Sequence, residues 1–365
     1  MIQRWVIPGI PNTGRKLFCL VNSLHMLFQH HGENIPLHRL IPMTGVAFGF
    51  RYFNDGRFVH PAIVGCTCAA ALAFASEQLG FGYDIVADKD WETAWGRMKE
   101  SLVKNAPVAI GPIPYGILGY NPKAGEELRG DHFCVLCGFD EEKDIVWVND
   151  PDGFSYAPLS LSALGSVWQS PQHLCPVLPQ APLAMIVTGK VQLERVGESL
   201  KVILGRACRL MKGEIVYGTL DAMVPPQFIL MGIPGEERLA ADIGSRFSGA
   251  DSRRLSQIIR RMQEVTFLQG TQAKADIACY LRDWTNKFPG KGGNQLLMDT
   301  SRLYERESSL HLEALKACSA INKAMATNMA TDELWNELTE IMSEIVSIER
   351  NALVLLEALV GGTYG

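Results

Sequence analysis

The hydrophobic pattern of this chain changes character once, near residue 190, and that break limits how it can fold. Before the break, short apolar runs alternate with Pro- and Gly-rich turns. Trp91–Lys104 places Trp91, Ala94, Trp95, Met98 and Leu102 near one helical face. Ala106–Ile110 then reads as a strand, and Pro112, Pro114, Gly116 and Gly119 make the next stretch a loop. Phe133–Phe139 and Ile145–Val148 flank the acidic turn Asp140-Glu141-Glu142-Lys143-Asp144, the pattern of a β-hairpin. Met185–Thr188 is a candidate last strand. After the break the spacing is helical. Leu255, Ile258, Ile259, Met262 and Val265 share one face, as do Ile277, Tyr280, Leu281 and Trp284. Ser308–Ala326 and Leu334–Leu359 read as long helices, with Thr331 a candidate N-cap between them. The expected architecture is α+β: a mixed domain with an antiparallel sheet over residues 1–190, and an α-helical domain over 191–365.

Bulk properties exclude several classes. The chain has 365 residues, enough for two domains, with 47% hydrophobic and 20% charged residues, as in an ordinary water-soluble domain. A net charge of −5 gives no electrostatic reason to expect nucleic acid or an anionic membrane, and would suit a cationic small molecule. No apolar run approaches the ~20 residues that span a bilayer. Met1-Ile2-Gln3-Arg4-Trp5 lacks the features of a signal peptide, so a cytoplasmic location is expected. The nine cysteines are scattered and read as mostly reduced and buried. Cys134-x-x-Cys137 with Cys66-x-Cys68 suggests zinc, but a three-residue spacing along a strand points Cys134 and Cys137 to opposite faces, so no metal is expected. Phe288-Pro289-Gly290-Lys291-Gly292-Gly293-Asn294 reads as a flexible connector and lacks the order of a phosphate-binding loop.

Three residues stand out chemically. Cys19 opens an apolar-periodic segment in which Leu20, Leu24, Leu27 and Phe28 follow helical spacing. A helix N-terminus offers partial positive charge and free N–H groups, which favour a thiolate and face a developing oxyanion. His132 follows Gly130-Asp131 at the start of a strand. Asp150 ends the partner strand of the same hairpin, so both emerge at one end of it. A cysteine, an imidazole and a carboxylate in this order form a nucleophile, a general base and an orienting group. Asn149 competes with Asp150, because strand alternation lets only one of the two face the imidazole. His60 is a weaker candidate to line a site. His25, His30, His31 and His38 read as surface or packing residues.

Taken together, the Cys19 helix, Gly130-Asp131-His132 and Val148-Asn149-Asp150-Pro151 resemble the papain-like cysteine peptidases that trim bacteriocin leader peptides, and the Asp-Pro turn of that family favours Asp150 over Asn149. Gly45-Val46-Ala47-Phe48-Gly49-Phe50-Arg51-Tyr52 is similar to a glycine/aromatic segment of the butirosin biosynthesis protein H family. Asp90–Trp95 followed by Ala106-Pro107-Val108 resembles its central helix and strand. Gly292-Gly293-Asn294 with the Tyr304–Ala317 helix resembles its C-terminal domain. One departure stands out: the peptidases carry a Gln six residues before the nucleophile, where this chain has Thr13, with Asn12 beside it.

The resemblance implies a papain-like domain joined to a helical one, and acyl transfer rather than proteolysis. Cys19 would take an acyl group from the phosphopantetheine of an acyl carrier protein. His132 would deprotonate a small-molecule amine acceptor, and Asp150 would orient His132. Asn12 and Asn149 are candidate oxyanion or substrate-lining residues, as are Phe48 and Tyr52. The segment from Val46 to Phe58 could cover the site. No bound cofactor, nucleic acid or membrane partner is expected, and a homodimer is left open. Arg253-Arg254 with Arg260-Arg261 reads either as a docking patch for an acidic carrier or as a solvated helix face. The alternative function is a peptidase or amidohydrolase with the same triad. A non-enzymatic binding protein would be indifferent to Cys19→Ala.

Overall fold

The computed structural model describes residues 2–14, 17–54, 59–63, 68–125, 132–169, 182–189, 200–214, 229–247, 250–285, 287 and 291–362. In chain order the first elements are β1 (Arg4–Val6), α1 (Cys19–His30), α2 (Leu37–Thr44), β2 (Arg51–Asn54), β3 (Val59–Ala62), α3 (Cys68–Leu79), β4 (Tyr83–Val86), α4 (Trp91–Val103), β5 (Val108–Ile113), β6 (His132–Asp140), β7 (Ile145–Asp150), β8 (Phe154–Ser160), α5 (Leu161–Gln169) and β9 (Leu183–Val187). There follow α6 (Leu200–Met211), β10 (Ile229–Met231), α7 (Gly232–Gly244), α8 (Ser252–Arg261), α9 (Leu268–Trp284), α10 (Lys291–Ala326) and α11 (Asp332–Gly361). The class is α+β with antiparallel sheets. Among the described residues, no helix is long and apolar enough to cross a membrane.

Two compact units emerge. The first comprises Met1–Leu40, Ala75–Val196 and Thr219–Val224; the second comprises Ile41–Phe74, Gly197–Gly218 and Pro225–Gly365. The partition therefore differs from a single cut at residue 190. Residues 41–74 join the second unit because β2 and β3 pair there with β10 in an antiparallel sheet ordered β10-β2-β3.

The first unit is built on an antiparallel sheet ordered β4-β9-β5-β6-β7-β8, with β1 added to β6. All nine residues of β6 are buried. Helices α1 and α4 both pack against this strand. That is why the sequence His132–Asp140 reads as a continuous apolar run rather than an alternating one. Helix α4 starts where Asp90 accepts the Thr93 amide at 2.9 Å, an N-cap that satisfies one of the free amides of the first turn. It lays Trp91, Ala94, Trp95, Met98 and Leu102 into the core. Leu20–Phe28 of α1 are all buried, each large apolar side chain contributing roughly 1.5–3 kcal/mol.

One irregularity corrects the expected orientation of the cysteines. The register between β6 and β7 shifts between Leu136 and Gly138. Cys134, Leu136, Cys137 and Phe139 all enter the same core cluster. The bulge changes strand parity at Cys137, so Cys134 and Cys137 do not point to opposite faces. Gly138 is needed at this point, since a Cβ there would sit 2.5 Å from the Trp5 carbonyl oxygen of β1.

The second unit is mostly helical. Helix α10 packs with α9 and α11, and α11 packs on α6 and α7. A π-helical turn, Met262–Phe267, joins α8 to α9. There the Val265 carbonyl accepts the Ile63 amide at 3.3 Å and Thr266 donates to the Pro61 carbonyl at 3.0 Å. Helix α10 begins at Lys291, so Gly292-Gly293-Asn294 are helical and not part of a connector; Phe288–Gly290 lie outside the described residues. Thr331 does occupy the N-cap position of α11, but its side chain makes no capping hydrogen bond.

Candidate active site

The local fold around Cys19 begins with backbone strain. Phe18, the residue before α1, has φ 55° and ψ 59°. A bulky side chain in the left-handed region costs roughly 1–2 kcal/mol and needs surrounding bonds to hold it. Asn22 supplies them. Its side-chain amide donates to the Leu17 carbonyl and, at 3.1 Å, to the Phe18 carbonyl. Its Oδ1 accepts the Thr13 hydroxyl at 3.2 Å. The turn therefore delivers a half-buried Cys19 at the first position of the helix.

His132 is held from three sides. Its Nε2 meets Asp150 Oδ1 at 2.7 Å, with both side chains fully buried. The Tyr115 ring lies over the imidazole, centroids 4.5 Å apart and planes 33° apart. The remaining ring nitrogen, Nδ1, is buried and has no hydrogen-bond partner of ordinary geometry, and the Cys19 side chain acts on the imidazole from close by. Burial disfavours the imidazolium. The hydrogen bonds to Asp150 and Cys19, and the charges of both, outweigh burial and push the His132 pKa up to about 10. Asp150 is pulled the other way. Burial raises its pKa, but the bond and charge of His132, the Asp152 amide and the Tyr120 hydroxyl hold it below the usual carboxylate range.

The topology brings these groups together. His132 opens β6 and Asp150 closes β7, at one end of the same hairpin. Strand β5 ends with Ile113 opposite His132, so the loop after it leaves at that end and carries Tyr115 and Tyr120. Tyr120 donates to Asp150 Oδ2 at 2.9 Å, and the Asp152 amide donates to Oδ1 at 2.7 Å. Every oxygen of the carboxylate is thus engaged. Cys134, two residues beyond His132, stays a thiol because burial, then the charges of Asp150, Cys137 and Cys19, raise its pKa well above normal.

It is Asp150, not Asn149, that reaches the imidazole. Asn149 faces away and staples the N-terminal segment: its amide donates to the Ile10 and Pro11 carbonyls at 2.9 and 3.3 Å, and its Oδ1 accepts the Tyr156 amide at 2.8 Å. Asn12 is likewise occupied. Its Nδ2 donates to the carbonyls of Asp150 at 3.2 Å and Phe154 at 2.8 Å, which leaves no amide hydrogen for an oxyanion. Both asparagines hold the Asp150 strand end in place. Phe48 and Tyr52 belong to the second unit, where Phe48 packs edge-on to Tyr304 and Tyr52 donates to Asp242 at 2.5 Å. The described part of Val46–Phe58 is largely buried strand and turn of that unit; residues 55–58 lie outside the described residues. His60, also there, is kept neutral by burial, then by Arg51 and Arg261. Gly130 and Asp131 lie outside the described residues.

Asn22, Tyr115 and Tyr120 are functional candidates that the periodicity of the sequence did not mark. The signal for the tyrosines was topological: two aromatics in the Pro/Gly loop that follows the neighbour of the histidine strand. Among the described residues, no group of three or more His, Cys, Asp or Glu is arranged to hold a metal ion.

No protein-family model matches the chain. A stretch of 170 residues is 27% identical to the uncharacterized protein YobF of Bacillus subtilis (strain 168), covering 43% of this chain and 50% of the relative. The chain thus matches about half the length of that protein, whose name assigns no activity.

Proposed function

We propose that the first unit is a papain-like catalytic domain and that the protein is an N-acyltransferase working through an acyl-Cys19 intermediate. The observation that carries this reading is the Cys19–His132–Asp150 constellation, with a fully buried 2.7 Å His132–Asp150 bond and the Cys19 side chain acting on the same imidazole. In the first half-reaction the Cys19 thiolate attacks the carbonyl of an acyl thioester. The bond to the donor sulfur breaks, and the departing thiolate takes the proton from His132. In the second, an amine attacks the acyl-Cys19 carbonyl, gives its proton to His132, and expels the Cys19 thiolate as the amide forms. Thioester exchange is nearly isoenergetic, so the stability of the amide drives the sequence.

The resemblance to the butirosin biosynthesis protein H family supports a phosphopantetheine thioester of a carrier protein as donor and a small amine as acceptor, in natural-product assembly. The test uses acyl-N-acetylcysteamine thioesters as carrier mimics and intact-mass spectrometry. An acyl mass should appear on the protein, map to Cys19, vanish in Cys19→Ala, and leave as an amide when a primary amine is added. Failure of every thioester to acylate Cys19 overturns the proposal. Cleavage of peptides with no amide formation would instead identify a peptidase with the same triad.

A further inference from the structure

We propose that Tyr120 is a positioning residue of the triad, fixing the Asp150 carboxylate in the orientation that serves His132. A buried carboxylate with one strong partner can still rotate its second oxygen toward that partner or away from it. Here Oδ1 is shared between His132 Nε2 and the Asp152 amide, both at 2.7 Å, while Oδ2 accepts only the Tyr120 hydroxyl among the described contacts, at 2.9 Å. Removing the phenol leaves a buried oxygen without a donor, the costly kind of loss. The phenol is a dependable donor, because burial, together with the charge of Asp150, keeps its proton in place at every working pH. The same loop is tied a second time, by Asn121 Nδ2 donating to Asp152 Oδ2 at 3.1 Å. That second bond reaches the Asp150 carboxylate only indirectly, through Asp152, whose amide donates to Oδ1, and it supplies a control for anchoring of the loop.

The inference rests on Cys19 being an activated nucleophile. Its test reads thiol alkylation, so a protein that alkylates normally but transfers no acyl group would count against the proposed reaction and not against Tyr120. The experiment is the pH profile of iodoacetamide modification at Cys19, followed by peptide mapping in the full-length protein. In Tyr120→Phe, Asp150 takes up a proton at higher pH, the imidazolium loses its partner earlier, and the acid limb of the profile moves up by roughly half a pH unit or more. Asn121→Ala, which acts only through Asp152, should move the limb clearly less than Tyr120→Phe. Site-specific replacement of Tyr120 by 3-fluorotyrosine, a stronger donor of almost the same shape, should move the limb down. That variant keeps the test decisive if Tyr120→Phe folds poorly. An acid limb unmoved in both Tyr120 variants, or moved equally by Asn121→Ala, would show that the tyrosine only packs the loop.

Discussion

Each unit buries a set of charged side chains drawn from several elements, yet the two sets are built differently. In the first unit, the Asp150 carboxylate has a donor on each oxygen, and the imidazole is bonded to Asp150 and influenced by a half-buried thiol. In the second, Lys274 of α9 meets Glu349 of α11 and, at 3.0 Å, Glu307 of α10; Glu236 of α7 and His311 lie in the same cluster. There Glu236 Oε2 and Glu349 Oε2 are buried without hydrogen-bond partners, and His311 Nε2 lies 3.4 Å from Glu307 Oε1. Three carboxylates share one ammonium, and burial, only partly offset by Lys274, pushes Glu236 up to about 8. Gly270 lets the His311 ring approach, since a Cβ there would sit 2.5 Å from its Nδ1. Burial and perturbed titration therefore do not by themselves make a catalytic site. The first cluster includes a half-buried thiol, the proposed nucleophile; the second ties helices together.

If this distinction is right, substitutions in the first cluster abolish chemistry and spare folding, while those in the second do the reverse. Cys19→Ala should lose all acylation with a melting temperature near wild type, measured by intact mass and calorimetry. Asp150→Asn should cut the acylation rate by on the order of 10³ to 10⁴, as expected when the orienting partner is lost. It should also let the His132 imidazolium titrate at lower pH, seen by ¹⁵N NMR of labelled histidine, because burial is then opposed only by Cys19. Lys274→Met leaves buried carboxylates uncompensated and should cost about 3–5 kcal/mol by denaturant unfolding, with the Cys19 alkylation rate of the folded protein unchanged.

A smaller effect tests the second cluster alone. Glu236 has a folded pKa raised above its unfolded value. The unfolded chain therefore loses this proton first as pH rises, and stability falls between about pH 4.5 and 8. Glu236→Gln should remove that dependence, stabilising the protein by a few kcal/mol at pH 9 and little at pH 4. The smallest effect separates a strained turn from the triad it serves. Asn22→Ala should cost about 1–3 kcal/mol and slow Cys19 alkylation severalfold, since the Leu17 and Phe18 carbonyls then lose the side-chain donor and only the main-chain bond from residue 22 to Phe18 remains.

Much of this was legible in the sequence. Hairpin spacing placed His132 and Asp150 together, and α4 was evident from Trp91, Ala94, Trp95 and Met98. What was not legible depends on long-range pairing. β2, which carries β3 with it, finds β10 about 180 residues later, so a texture break near 190 could not assign residues 41–74. The bulge at Cys137 reverses alternation through a contact with β1 that no local pattern shows. Asn12 and Asn149 have the chemistry of oxyanion donors, but main-chain carbonyls claimed them. Tyr120 acts through a loop whose end point is set by the β5–β6 register.

The sharpest check on an activated Cys19 is competitive alkylation at pH 6, with Cys279 as the internal reference because it is half-buried like Cys19 but belongs to the second unit. Limiting iodoacetamide should label Cys19 at least tenfold faster than Cys279, and His132→Gln should erase the difference. Equal labelling of the two thiols in the wild-type protein would contradict the assignment of Cys19 as the nucleophile.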